Sequence, residues 1–386
     1  MSRAKICDVA VVGAGVFGAW TALHLARRGK RVLLLDAYGP GHSRSSSGDE
    51  SRIIRMGYGA DEIYTQWSQR SLVQWKELFA ATRNEALFKK TGVLWLAETG
   101  NAQQSATKEV LKRNGVAFNE LGREELSERY PQINIDGIAN GIYEPESGVL
   151  MARRAVAAVV AEAQRLGAVY RLAEVVAPTG TGKTPSINDT KSGEPFYADQ
   201  FVFPCGAWLA KLFPEVLGKR IFPTRQTVFY IGVPGGDARF SSPALPTWLI
   251  KNDESYGMPD IESRGFKVAL DRHGDAVDPD TQSRIVTTKE VEEIRDYVAR
   301  RFPALKDAPI AETRVCQYEN SSNGDFLIDR HPELSNVWFV GGGSGHGFKH
   351  GPAVGEYVAG QLLGDAKLEP RFLLESKETV QQRSVY

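Results

Sequence analysis

Asp8-Val-Ala-Val-Val-Gly-Ala-Gly-Val-Phe-Gly18, followed by Arg31-Val-Leu-Leu-Leu-Asp36, is the stretch on which the fold turns. The β-branched run Asp8–Val12 reads as a buried parallel strand. It leads straight into a glycine-rich turn and then into helical periodicity over Ala19–Arg28. A second apolar strand, Arg31–Leu35, ends on Asp36. Gly13 permits the tight turn, Gly15 lets the backbone approach a pyrophosphate, and Gly18 allows close helix–strand packing. The helix N-terminus offers free N–H groups and a positive dipole end to phosphates. Asp36 stands where a carboxylate accepts ribose hydroxyls and repels a 2′-phosphate. The pattern predicts a dinucleotide-binding βαβ unit, and by itself it leaves NAD and FAD both open.

Outward from this unit, 386 residues suit about two domains rather than one core. Lys+Arg and Asp+Glu are equal at 47 each, and so lack the basic excess that nucleic acid or a membrane surface calls for. The longest apolar runs fall far short of a membrane span. Three scattered cysteines, Cys7, Cys205 and Cys316, form no C-x-x-C pair and suit a reducing cytoplasm. Six histidines show no metal-ligand spacing, so no metal site is expected and redox chemistry must come from an organic cofactor. The first strand begins within a few residues of Met1, which leaves no room for a signal peptide, and Arg383-Ser-Val-Tyr386 is no known address.

Further helices are predicted at Ile63–Phe79 and Arg153–Leu166. Strands are expected at Gly92–Leu96, Val169–Val176, Phe201–Phe203, Thr227–Ile231 and Val337–Val340. Gly180-Thr-Gly-Lys-Thr184 imitates the end of a P-loop, but Ala177 replaces the required glycine and Pro185 stands where the helix should run. It reads instead as an exposed connection between strands. Residues 220–315, with their prolines, aromatics and short alternating runs, predict an antiparallel sheet. The expected fold class is α/β, a Rossmann-type dinucleotide-binding domain with an inserted, mixed and largely antiparallel substrate domain. The ranges are 1–85, 146–219 and 321–386 for the first, and 86–145 and 220–320 for the second.

Three further segments complete the pattern: Gly48-Asp-Glu-Ser-Arg-Ile-Ile-Arg55; Cys316-Gln-Tyr318 with Asp325-Phe-Leu-Ile-Asp-Arg-His-Pro332; and Gly342-Gly-Ser-Gly-His-Gly-Phe-Lys349. With the first turn they resemble, over nearly the whole chain, the glycine/D-amino-acid oxidase-like flavoproteins. The resemblance is to the branch of monomeric sarcosine, N-methyltryptophan, pipecolate and fructosyl-amine oxidases. It implies FAD, oxidation of a C–N bond by hydride transfer to flavin N5, reoxidation by O2 to H2O2, and a monomer. An amine dehydrogenase with another acceptor, or a flavin-binding partner module without turnover, are the alternative readings.

The resemblance also implies roles. Arg52 lies against the flavin, Arg55 and Lys349 take the substrate carboxylate, and Tyr318 helps to enclose the substrate. Cys316 forms a thioether to the flavin, which requires a thiolate. Cys7 and Cys205 remain core residues. Gly343, Ser344, Gly345 and Gly347 bring backbone N–H groups to the cofactor. Lys267, in Gly265-Phe-Lys-Val-Ala-Leu270, promotes reaction with O2, because a cation stabilises developing superoxide. Two departures stand out. Asp271 occupies the position, four after the lysine, where the sarcosine-type branch often has histidine, with His273 nearby; a carboxylate there favours a cationic or more polar substrate. Glu319-Asn-Ser-Ser-Asn-Gly324 replaces the usual threonines and Asp-Glu pair.

Overall fold

The computed structural model describes residues 7–381; residues 1–6 and 382–386, with them the Arg383–Tyr386 ending, lie outside the described residues. Three sheets organise the chain. In the first, Cys7–Val12 is central, pairing in parallel with Val32–Asp36 on one side and Pro195–Phe203 on the other. Val169–Leu172 and Val337–Gly341 extend it in parallel, and Leu327–Arg330 closes one edge antiparallel. The short strand Ser186–Asn188 folds back on Pro195–Phe203. The P-loop look-alike therefore leads into a strand and not a helix.

The helix Val16–Arg27 packs against Gly351–Leu363 and Ala152–Arg165. Glycine sets the first contact: a Cβ at Gly355 would lie 2.5 Å from the Trp20 carbonyl carbon and 2.7 Å from the Thr21 nitrogen. The two helices thus meet backbone to backbone, with Trp20 and Trp75 edge to face beside them at 5.0 Å.

The second sheet has eight strands, from Ile310–Ser321 through Ile221–Ile231 and Phe266–Leu270 to Asn119–Gly122. Every pairing is antiparallel except Thr247–Ile250 with Val93–Ala97. The helix Thr288–Arg301 covers it, started by a capping box between Thr287 and Glu290. The third sheet is small: Arg52–Ile54, Gly148–Leu150 and Phe88–Lys89. The architecture is α/β, a Rossmann-type sheet joined to a mixed, largely antiparallel one.

The strand expected over Val169–Val176 stops at Leu172, because its neighbour ends at Asp36, opposite Leu172. Val175 makes only an isolated bridge to Asp189. No helix among the described residues is long and apolar enough to cross a membrane.

Candidate active site

The glycine turn is shaped by its neighbours. A Cβ on Gly13 (φ +116°) would lie 2.5 Å from the Pro204 carbonyl oxygen, and one on Gly18 would overlap the carbonyl of Gly13 itself. Asp36 is fixed by three backbone donors: Ala14 N–H on one oxygen at 2.7 Å, and Tyr38 and Gly39 N–H on the other at 2.8 Å. Val16 N–H, at the helix start, donates to Ser47 Oγ at 3.1 Å. From here a cavity of about 710 Å³ runs past Arg52 and Tyr318 to Gly343, Gly345 and Gly347. Cys205, read from sequence as core, is half-buried and lines this cavity beside Pro204.

The 341–350 loop forms the far wall. Gly342 and Gly345 take positive φ, and so does Ser344 at +43°. A side chain there costs about 1–2 kcal/mol. Ser344 is held by its hydroxyl, which donates to Gly342 O (3.0 Å) and accepts from Ser321 N–H (3.1 Å), and by its own N–H on Glu319 O (2.9 Å). Any Cβ at Gly345 would press on the Tyr318 ring at 2.8 Å.

Lys267 points inward. Only 1 % exposed, its ammonium donates to Asp49 Oδ2 (2.6 Å), Ser51 O (2.8 Å) and Ser51 Oγ (3.2 Å). Burial pushes its pKa down to about 8 despite the carboxylate. Asp49 also accepts from Arg52 and from Tyr230 OH at 2.9 Å. Burial alone would raise this carboxyl; Lys267 and Arg52 outweigh burial and hold it well below the usual carboxylate range. Arg52 spans from Asp49 to Cys316, with Nη2 3.5 Å from Sγ and 3.0 Å from Ser46 O. Cys316 lies behind Arg52 and Ser46 and, like Lys267, is not on the cavity surface itself.

Arg55 and Lys349 meet across Tyr58. The guanidinium lies 4.3 Å from the Tyr58 ring centre and 4.6 Å from that of Trp95. Arg55 also donates to Gly57 O. Lys349 Nζ donates to Tyr58 OH (2.6 Å) and His346 O (2.9 Å), while Tyr58 OH reaches His350 Nε2 at 2.7 Å. Burial and the Arg55 charge push Lys349 well below the usual lysine range. Both cations are 4 % exposed, and among the described residues neither has a carboxylate within ion-pair distance. Glu144 braces the segment by accepting from Met56 N–H (2.7 Å), Gly57 N–H (3.0 Å), Trp95 Nε1 (2.7 Å) and Ser147 Oγ (2.6 Å).

Asp271 accepts a 2.8 Å bond from Tyr318 OH. Though part of its surface is open, it sits deep enough for desolvation to raise it to about 7, against the Tyr318 bond and the charges of Arg55, Lys251 and Lys349. His273 turns away and meets Gln381 at 2.6 Å. The structure thus assembles two groups: Lys267, Arg52 and Cys316 around Asp49, and Arg55, Lys349, Tyr318 and Asp271 around Tyr58 and the loop. Sequence reasoning missed Asp49, Tyr58 and Glu144. Tyr58 lies three residues from Arg55, and that spacing was its available signal; Asp49 is buried by Lys267, 218 residues away. No cluster of three or more metal-ligating side chains is found among the described residues.

The FAD dependent oxidoreductase family model matches residues 8–361. A monomeric sarcosine oxidase from Bacillus sp. (strain B-0618) is 32% identical over 369 residues, 94% of this chain and 93% of the relative. Human peroxisomal sarcosine oxidase is 31% identical, covering 92% of each chain. Among solved structures, a fructosamine oxidase from Aspergillus fumigatus superposes with a TM-score of 0.81 at 22% identity, over 97% of this chain and 90% of that one.

Proposed function

The chain belongs to the FAD-dependent oxidoreductase family, and on that premise we propose that it oxidises the C–N bond of a secondary amine or N-substituted amino acid, with O2 as acceptor and H2O2 as product. Bound FAD supplies the two-electron acceptor for hydride and passes the electrons to oxygen. The cradle suits it: two glycines whose Cβ would collide, Asp36 fixed at one end, and a cavity of about 710 Å³ continuous with the Gly343–Gly347 loop. We assign cofactor contacts to Gly13, Gly15, Gly18, Asp36, Arg52, Gly343, Ser344, Gly345 and Gly347, and the covalent anchor to Cys316 beside the Arg52 guanidinium.

The carboxylate anchor carries the reading. Arg55 and Lys349 are buried basic groups about one Tyr58 ring, with no acid of the protein in ion-pair reach among the described residues. The two can carry charge together only when an anion meets them. With the substrate carboxylate there, its amine faces Tyr318 and Asp271. Asp271 Oδ1 takes the Tyr318 hydroxyl, and Oδ2 holds the proton that the ammonium must lose before its hydride can leave. Lys267 holds a positive charge near the reacting centre for reduction of O2. We place the protein as a monomer in the cytoplasm; the monomeric sarcosine oxidase relative supports the first part of that reading and the three free thiols support a reducing compartment.

The test is anaerobic bleaching of the bound flavin across amino acids, N-methyl amino acids, fructosyl amines and their carboxamides. Bleaching by N-substituted acids but not by the amides, followed by H2O2 on admitting air, is the expected result. Equal bleaching by the amides would remove the anchor, and reoxidation without H2O2 would make the protein a dehydrogenase. Flavin that stays with acid-precipitated protein, and is released from Cys316→Ser, identifies the covalent link; full release from the parent protein would rule it out.

A further inference from the structure

The hydroxyl of Tyr58 has a single hydrogen and stands among three nitrogens: Lys349 Nζ at 2.6 Å, His350 Nε2 at 2.7 Å and His346 Nδ1 at 3.4 Å. All four side chains are buried, and the rings of Tyr64 and Phe326 pack on both histidines. Counting hydrogens assigns the directions. His350 Nδ1 has no hydrogen-bond partner. A buried N–H without an acceptor is rarer than a buried acceptor without a donor, so the ring hydrogen of His350 belongs on Nε2, aimed at the Tyr58 oxygen. Burial keeps that ring neutral, and Lys349, His346 and Arg55 push it the same way. His346 Nε2 lies 3.0 Å from Gly324 O, which only accepts; the hydrogen of His346 is there, and its Nδ1 is an acceptor. Ser68 Oγ, also near the hydroxyl, makes no hydrogen bond.

The Tyr58 hydrogen therefore has two seats. The 2.6 Å contact with Lys349 runs either way: a free amine accepts the hydrogen, whereas an ammonium donates to the Tyr58 oxygen and sends the hydrogen to His346 Nδ1. We propose that the Tyr58 hydroxyl is a two-position switch for the carboxylate anchor, with His346 as the positioning residue that receives its hydrogen when Lys349 becomes charged against the substrate. The His350 N–H holds the Tyr58 oxygen in both positions. Burial and Arg55 favour the free amine, Asp271 and Glu144 favour the ammonium, and an anion at Nζ tips the balance to the second. One proton enters from solvent, onto Nζ. The Tyr58 hydrogen only turns about its C–O bond, and no other bond forms or breaks.

This inference rests on the Arg55–Lys349 anchor proposed above. Its test is the dissociation constant of acetate from the holoenzyme, read from the change in flavin absorbance, in the parent protein, His346→Phe, Lys349→Met and the double variant. Phenylalanine keeps the ring packing and removes the seat, so acetate should bind about tenfold more weakly, the usual worth of one buried hydrogen bond. With Lys349→Met there is no ammonium to accommodate, and adding His346→Phe should change nothing further. His346→Asn, which puts an amide oxygen at the place of Nδ1, should restore the parent affinity. Unchanged affinity in His346→Phe, or an equal loss with and without Lys349, overturns the proposal and leaves the anchor standing. Unchanged affinity in Lys349→Met overturns both. Should His346→Phe not fold, nitrogen NMR of the histidine-labelled parent holoenzyme decides. His350 should carry its hydrogen on Nε2 with and without acetate, and the His346 Nδ1 signal should shift as acetate is added. A hydrogen on His350 Nδ1, or a His346 signal that acetate leaves in place, overturns the proposal.

Discussion

Lys267 and Asp271 lie four residues apart on one strand and its end, yet burial moves them in opposite directions, to about 8 and about 7. The signs give a pH profile. Lys267 is charged below about 8, so reoxidation by O2 should slow as pH rises through that value. Asp271 is ionised above about 7, so anaerobic flavin reduction should quicken as pH rises through that one. Aerobic turnover is then bell-shaped, with its limbs at these two values. Replacing Lys267 with Met should slow reoxidation by about 10²–10³-fold, the usual cost of losing one oriented charge-stabilising group. Stopped-flow measurement of both half-reactions checks this, and equal slowing of the two would remove the role. Lys267 was legible in the sequence from its apolar neighbours and the family pattern. Asp49 was not, since an acid between Gly48 and Glu50 reads as a solvated loop residue. Its burial depends on Lys267, 218 residues away, and no local pattern encodes that.

At the scale of elements, the first turn and helix were the most legible part of the chain, because Gly13 and Gly18 each answer a steric demand that the motif encodes. Gly18→Ala would drive a methyl into the carbonyl of Gly13 and against Pro204, moving the turn away from the phosphates. The expected product is folded protein purified with little or no FAD, read from the ratio of absorbance at 450 nm to that at 280 nm; full flavin content would show that the turn can give way. Strand ends were less legible. Val169–Val176 has strand-forming residues throughout, but its ladder stops where the neighbouring chain turns at Tyr38–Gly39, a tertiary fact. The short Ser186–Asn188 strand was likewise hidden in a stretch rich in turn formers, and it exists because Pro195–Phe203 offers it an edge.

In the whole molecule, Asp49 is a joint. It takes Tyr230 and Lys267 from adjacent strands of the large sheet and Arg52 from the small one. Asp49→Asn leaves a buried ammonium and guanidinium without their anion, so unfolding in urea should show a loss of about 3–5 kcal/mol. A loss below about 1 kcal/mol would mean that the sheets hold together without it. The Arg55–Tyr58–Lys349 group has a different consequence. With its ammonium pushed well below the usual range, Lys349 regains affinity for a proton when an anion arrives, so the site takes up acid and anion together and acts as a small ion exchanger. Acetate or formate should raise the melting temperature, more at pH 6 than at pH 8, and an anion present at 100 times its dissociation constant adds about 2.7 kcal/mol. Buffer anions thereby become competitors, and kinetics measured in acetate will understate how tightly the protein holds an amino acid.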